Sequence, residues 1–166
     1  MRFNKSLKRK TELLLNHCRR ESLRLTTAES CTGGLVSACL TAIPGSSDVV
    51  EGGFVTYSNH AKKVLLGVPA NILEAHGAVS EEVARAMAEG AVRLTEANLS
   101  VAITGVAGPG GGSIDKPVGL VYLGVAGANG MSHQSQFFFQ GDREKIRSDS
   151  VEAAIDLLLA FVTDKF

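Results

Sequence analysis

The segment Thr26-Thr27-Ala28-Glu29-Ser30-Cys31-Thr32-Gly33-Gly34 reads as the end of a strand, a turn presenting hydroxyl and thiol groups, and the start of a helix. Open backbone N–H groups at a helix start attract anions and developing negative charge. A nucleophile placed there has its oxyanion or phosphate partner close by. Gly33 and Gly34 keep side-chain bulk away, so a ligand can approach the backbone. Many strand-to-helix turns carry Ser, Thr and Gly only as caps. The segment gains meaning from two later ones, Tyr57-Ser58-Asn59-His60-Ala61-Lys62 and Thr104-Gly105-Val106-Ala107-Gly108-Pro109-Gly110-Gly111-Gly112.

The fold class comes from the pattern along the whole chain. Residues 3–20 have an amphipathic helical pattern. Residues 23–29 read as a strand in which Leu23 and Leu25 alternate with polar neighbours. Residues 32–43 read as a helix carrying Leu35, Val36, Cys39, Leu40 and Ile43, ended by Pro44-Gly45-Ser46-Ser47. A Val- and Phe-rich strand is expected over 48–57, and Gly52-Gly53 inside it signals a bulge or a close backbone approach. Short helices follow over 59–66 and 70–75. Ser80 caps a helix whose first turn holds Glu81 and Glu82, and Val83, Met87, Ala91 and Leu94 share one of its faces. Residues 98–104 are a buried strand. Strands over 117–127 and 131–139 are joined by the hairpin turn Gly127-Ala128-Asn129-Gly130. Asp142 caps a last helix with Ile146, Ile155, Leu158, Leu159 and Val162 on its buried stripe. Helices alternating with strands, plus one hairpin, imply an α/β layered domain with a mixed sheet.

Composition narrows the function classes. A chain of 166 residues with 45% hydrophobic and 20% charged residues fits one soluble globular domain with a full core. It has no Trp and few other aromatics, which argues against a base-stacking platform for single-stranded nucleic acid. Residues 1–24 hold eight Lys or Arg against two acids, and the remainder holds nine against fifteen. That basic start reads as the solvated face of an N-terminal helix, with a nucleic-acid patch or a targeting segment as the alternatives. No apolar run reaches the length of a signal peptide or a membrane span. Cys18, Cys31 and Cys39 lack metal-ligand spacing, and a reduced, cytoplasmic protein is the simplest expectation.

The residues leave several roles open. Ser30 and Cys31 are both candidate nucleophiles, and strand alternation lets only one of them face a given pocket. The four His form no triad or metal pair. Ala28 and Thr32 stand where the Gly-x-Ser-x-Gly elbow needs glycines. Ser113-Ile114-Asp115-Lys116 matches a bare Ser-x-x-Lys pattern, but it sits in a Gly-rich loop without an aligning helix and is read as chance. Lys62 lies beside Tyr57-Ser58-Asn59 and is either a base kept neutral by burial or a surface charge. Tyr57 could hand on a proton or orient a group. The 105–112 loop is neither a P-loop nor a dinucleotide fingerprint, and it either cradles a phosphate or sugar or merely connects. Arg143 is a phosphate or ion-pair partner.

Taken in order, six segments resemble the CinA C-terminal domain family, whose stand-alone members are nicotinamide-nucleotide amidohydrolases. They are 27–34, 52–59, Gly77-Ala78-Val79-Ser80, 104–109, Lys116-Pro117-Val118-Gly119 and Gly141-Asp142-Arg143, and together they cover about residues 8–162. The resemblance implies a single domain over 1–166, with an N-terminal helix in 1–20, folded as a three-layer α/β/α sandwich with a mixed sheet. It implies hydrolysis of the carboxamide of nicotinamide mononucleotide to nicotinate mononucleotide and ammonia, in pyridine-nucleotide salvage. Ser30 is then the nucleophile, Lys62 its base and Tyr57 an assistant. Substrate binding is expected at Thr32, Gly33, Gly34, Asn59, Thr104, Gly105, Gly108 and Arg143, with backbone N–H groups near Thr32 to Gly34 holding the oxyanion. The 105–112 loop and Arg143 are expected to hold the ribose phosphate. No cofactor and no metal are expected, and the partners are the nucleotide and a second copy of the chain. Family members that carry a larger N-terminal pyrophosphatase-type domain differ from this chain, which looks like the stand-alone form. The competing expectation is a pyridine-nucleotide-binding regulatory module, or a competence- and DNA-damage-associated protein without turnover.

Overall fold

The computed structural model describes residues 3–163, so Met1 and Arg2 of the expected 1–20 helix lie outside the described residues. Helix α1 (Lys5–Arg20) starts where Asn4 accepts from the Leu7 N–H at 2.7 Å. It buries Leu7, Leu14, Leu15 and Cys18 and leaves most of its basic residues in solvent. Strand β1 (Leu25–Glu29) leads through a turn into α2 (Leu35–Thr41), and a 3-10 turn (Ser46–Asp48) precedes β2 (Val50–Val55). Then come α3 (Asn59–Leu66), α4 (Ala70–His76), α5 (Glu81–Arg93), β3 (Leu99–Gly105), the hairpin of β4 (Leu120–Gly127) and β5 (Ser132–Phe138), and α6 (Arg143–Val162). Ser80 and Asp142 cap α5 and α6 as expected, accepting from the N–H groups of Val83 at 3.3 Å and Lys145 at 2.9 Å.

Among the described residues the sheet order is β2-β1-β3-β4-β5. Strand β1 runs parallel to β2 and β3, whereas β3/β4 and β4/β5 are antiparallel, so the sheet is mixed. Helices α1, α2 and α6 cover one face, packing Leu14, Leu40, Ile146 and Leu158 on Leu25, Val101, Ile103 and Leu123. Helices α3, α4 and α5 cover the other, with Leu66, Leu73, Val83 and Met87 on Ala28, Ala102 and Ala126. The architecture is the three-layer α/β/α sandwich in one domain. The small residues on the second face let α5 approach closely, since a Cβ on Gly124 would stand 2.7 Å from the Ala84 carbonyl oxygen. No helix among the described residues is long and apolar enough to cross a membrane.

Several local expectations change. Leu94 does not share the buried face of Val83, Met87 and Ala91 but follows the end of α5 and is exposed. The first strand starts at Leu25, and all five of its residues are buried, because helices cover both faces of a central strand. The helix expected over 32–43 begins only at Leu35. Gly33 and Gly34 have φ of +61° and +95°, left-handed values that no α-helix accepts, so residues 31–34 form a turn. Strand β2 is shorter than 48–57, and its glycines do both things their position signalled. The register slips between the pairs Leu25/Val50 and Thr26/Gly52, and a Cβ on Gly53 would collide with the Ser37 and Thr27 hydroxyls, which are bonded to each other at 2.5 Å.

Helix α5 meets the end of α3 at Gly90, where a Cβ would run into the Leu66 carbonyl oxygen. Alanine at an open helix position gains about 1 kcal/mol over glycine. Here the collision reverses the sign. Gly90→Ala is expected to destabilise by roughly 1–3 kcal/mol, and at about 2–4 °C per kcal/mol for a chain of this size thermal unfolding reads it as a fall of several degrees. A higher midpoint would show that α3 and α5 separate freely.

Candidate active site

The parallel strands β1, β2 and β3 point their carboxyl ends the same way, the usual place for a site in an α/β sheet. Just beyond them lie Ser30, the Thr56-Tyr57 pair and the 105–108 loop. Strand alternation sorts the first of these. Leu25, Thr27 and Glu29 face α2, so Ser30 faces the α3 side. Cys31 packs in the α1/α2/α6 cluster, although its edge also lines the pocket.

Lys62 sits one turn inside α3, which starts where Ser58 accepts from the Ala61 N–H at 3.0 Å. Leu66, four residues on, packs against α5 on the same helical face and carries Lys62 inward with it. The side chain is 1% exposed, while Lys63 stays in solvent. The Lys62 amine donates to Ser30 Oγ at 2.9 Å and to the Thr56 carbonyl at 2.8 Å. No carboxylate pairs with it among the described residues. Burial pushes its pKa below the ordinary lysine value of 10.5, with the neighbouring Cys31 pulling weakly the other way. A neutral amine can keep one N–H on Thr56 and turn its lone pair to the serine proton, which is the arrangement of a nucleophile with its base. Burial drives the Cys31 thiol up to about 11, and no base is bonded to it.

The cavity beside this pair holds about 280 Å³ and is lined by Ser30, Cys31, Tyr57, Asn59, Lys62, Ala78, Val79, residues 104–108, Gly110, Gly111 and Arg143. It contains no acidic side chain. Thr104 is buried and donates to the Ala78 carbonyl at 2.7 Å, tying β3 to the loop before α5. Asn59 opens α3 at the rim. Tyr57 is 62% exposed, and its hydroxyl accepts from Arg143 at 2.9 Å rather than meeting Ser30 or Lys62. Arg143 also donates to the Gly108 carbonyl at 2.8 Å, so it bridges the end of β2 and the loop after β3 across the mouth.

The structure therefore brings Ser30, Tyr57, Asn59, Lys62, Thr104, Gly105, Gly108 and Arg143 to one cavity. It does not bring Thr32, Gly33 or Gly34 there. Thr32 is buried behind the turn, and its carbonyl accepts from Arg147 at 2.8 Å. Gly33 N–H donates to the Ser30 carbonyl at 3.1 Å. Gly34 N–H is taken by Glu29, a residue whose part the sequence reading missed. The fully buried Glu29 carboxylate accepts from the N–H groups of Gly34, Val36 and Ser37, at 3.0, 3.1 and 2.8 Å, and from the Ser37 hydroxyl at 3.0 Å. It caps α2 from outside the helix. The signal was present in the sequence: the helix follows two glycines that offer no side-chain cap, and its first turn holds no acid.

Comparison with known proteins places the chain in context. Residues 7–162 match the family model described as the CinA C-terminal domain. The chain is 49% identical over 147 residues to a CinA-like protein of Anaeromyxobacter, covering 89% of this chain and 36% of the relative. A CinA-like protein of Synechococcus is 52% identical over 147 residues, covering 88% and 35%. The chain thus spans about a third of the length of the curated relatives it matches. Among solved structures, a competence/damage inducible protein from Agrobacterium tumefaciens superposes with a TM-score of 0.93 at 43% identity, covering 96% of this chain and 98% of that one. A competence-damaged protein (CinA) superfamily member from Escherichia coli gives 0.90 at 36% identity, covering 97% and 94%.

Proposed function

Since the chain belongs to the CinA C-terminal domain family, we propose that its cavity hydrolyses the carboxamide of nicotinamide mononucleotide, giving nicotinate mononucleotide and ammonia. The observation that carries the reading is the 2.9 Å contact between Ser30 Oγ and a buried lysine amine with no carboxylate partner. Ser30 Oγ attacks the carboxamide carbon while its proton passes to Lys62 Nζ, and the carbonyl electron pair moves onto oxygen. Collapse restores the carbonyl and breaks the C–N bond. Lys62 returns the proton to the departing ammonia. Water then attacks the acyl-serine, with Lys62 as base, and releases the acid. The direct contact makes a relay through Tyr57 unnecessary for the first proton, and Tyr57 helps by shaping the mouth with Arg143. A pyridinium ring close to Lys62 favours the neutral amine further and makes the carboxamide carbon more electrophilic. A homodimer, which the resemblance implies, belongs to the same proposal.

The test is ammonia release by the purified protein in EDTA, with nicotinamide mononucleotide beside free nicotinamide and NAD. Release from the mononucleotide alone supports the reading. No release, with the mononucleotide still bound, would leave the regulatory binding module. Arg143 carries the only formal charge of the cavity lining once Lys62 is neutral, and a guanidinium bonded through two N–H groups still has three for an anion. Arg143→Ala is expected to raise KM for the mononucleotide about tenfold or more, with a smaller change in kcat. An unchanged KM would remove Arg143 from the phosphate.

A further inference from the structure

The proposed amide hydrolysis, on which this inference rests, needs hydrogen-bond donors for the oxygen of the tetrahedral intermediate. The helix start after the nucleophile does not supply them: Glu29 holds Gly34, Val36 and Ser37, the Ser30 carbonyl holds Gly33, and neither Thr32 nor Leu35 lines the cavity. Ser30 N–H is fixed on the Ile103 carbonyl at 2.9 Å, and Val106 N–H on the Leu120 carbonyl at 2.9 Å. Of the buried residues that line the cavity, three carry backbone N–H groups with no acceptor among the described residues: Cys31, Ala107 and Gly108. All three residues are buried, with Cys31 7% and Ala107 4% exposed. Backbone N–H groups of buried residues are nearly always paired, so three without an acceptor, lining the same cavity as Ser30, are available to an oxygen bound there.

We propose that the oxyanion hole is built from two sides, from the Cys31 N–H next to the nucleophile and from the Ala107 and Gly108 N–H groups of the loop after β3. Glu29 closes α2 to the developing charge and confines that charge to this hole. Arg143 fixes one wall by holding the Gly108 carbonyl. The α/β-hydrolase elbow uses the same logic, with one donor from the residue after the nucleophile and one from a separate loop. This chain reaches it without the elbow glycines.

Pyridine-3-boronic acid is the probe, since addition of a serine oxygen to boron gives a tetrahedral adduct with an oxygen in the oxyanion position. Boron-11 NMR reports the adduct, and nitrogen-15-edited proton spectra of the labelled parent protein report the donors. The expected result is tetrahedral boron together with downfield shifts of the Cys31, Ala107 and Gly108 amide protons, all absent in Ser30→Ala. Tetrahedral boron with the shifts at Gly33 and Gly34 instead would overturn the hole and leave the serine chemistry standing. Absence of tetrahedral boron at saturating probe would take away the serine nucleophile and the hole with it. Ala107→Pro deletes one donor, and its kcat is expected to fall about 10²-fold with KM little changed. An unchanged kcat would remove Ala107 from the hole. If this variant fails to fold, the spectra of the parent protein still decide.

Discussion

Ser30→Ala is expected to lower kcat for ammonia release from nicotinamide mononucleotide on the order of 10⁴-fold or more, with the nucleotide still bound. The size follows from the chemistry. Without Oγ no acyl intermediate forms, and Lys62 has no positioned proton to take. The fold has little stake in the change. The variant loses one buried hydrogen bond, worth about 1 kcal/mol, and Lys62 keeps the Thr56 carbonyl. A small fall in melting temperature beside a near-total loss of turnover separates a nucleophile from a structural serine. Cys31 supplies the opposing outcome. Burial pushes its thiol up to about 11 and no base is bonded to it, so it is protonated and inert at neutral pH. Ammonia release that persisted in Ser30→Ala and vanished in Cys31→Ala would transfer the chemistry to the thiol.

What the sequence shows of this fold is the part governed by local rules. The caps at Ser80 and Asp142, the hairpin turn at 127–130 and the alternation of helices with strands depend on neighbours a few residues away, and they stand where the pattern puts them. Strand β1 departs from its pattern because its burial is set from outside. Leu23 and Leu25 suggest a half-exposed strand, yet α2 and α5 seal both of its faces, and even Thr26, Thr27 and Glu29 are fully buried. The Gly52-Gly53 signal was readable as a close approach, but the partner was not, since Ser37 arrives from a separate helix.

The site follows the same division. The turn marks Ser30 and Cys31 alike, and nothing local distinguishes Lys62 from Lys63. One is buried and the other exposed only because Leu66 docks on α5 and turns that face of α3 inward. The resemblance, not the spacing, singled out Lys62, and the geometry explains why that position suits a base. The assignment of Thr32 to Gly34 to the substrate assumed that an open helix start stays open. The nearest carboxylate, Glu29, already occupies it. The sequence offers Arg143 as a partner of a phosphate or of an acid, and neither pattern shows that it joins Tyr57 to Gly108. Tertiary contacts decide which of several plausible donors remain free, and single residues do not announce that.

Lys62→Met should separate catalysis from stability more sharply than any other change in the site. Loss of the base is expected to lower kcat roughly 10³–10⁴-fold, while thermal stability stays level or rises, because a buried amine without an ion-pair partner is replaced by an apolar chain of similar length. The pH dependence has a definite sign. Burial holds Lys62 below 10.5 in the folded protein, so between that lowered value and 10.5 the unfolded chain binds more protons. The parent protein therefore gains stability from this group as pH rises through that window, and below it the cost of protonating Lys62 is fully present. Lys62→Met lacks this dependence. Its melting temperature should exceed the parent's by most in mildly acidic solution, with the gap narrowing towards pH 10.5. The parent's kcat/KM should rise with pH through the same lowered Lys62 value, as the neutral base forms, and the residual rate of the variant should not follow it. A parent rate flat across this range, or a Met variant less stable than the parent at acid pH, would mean that Lys62 is a charged structural strut and that another group takes the proton from Ser30.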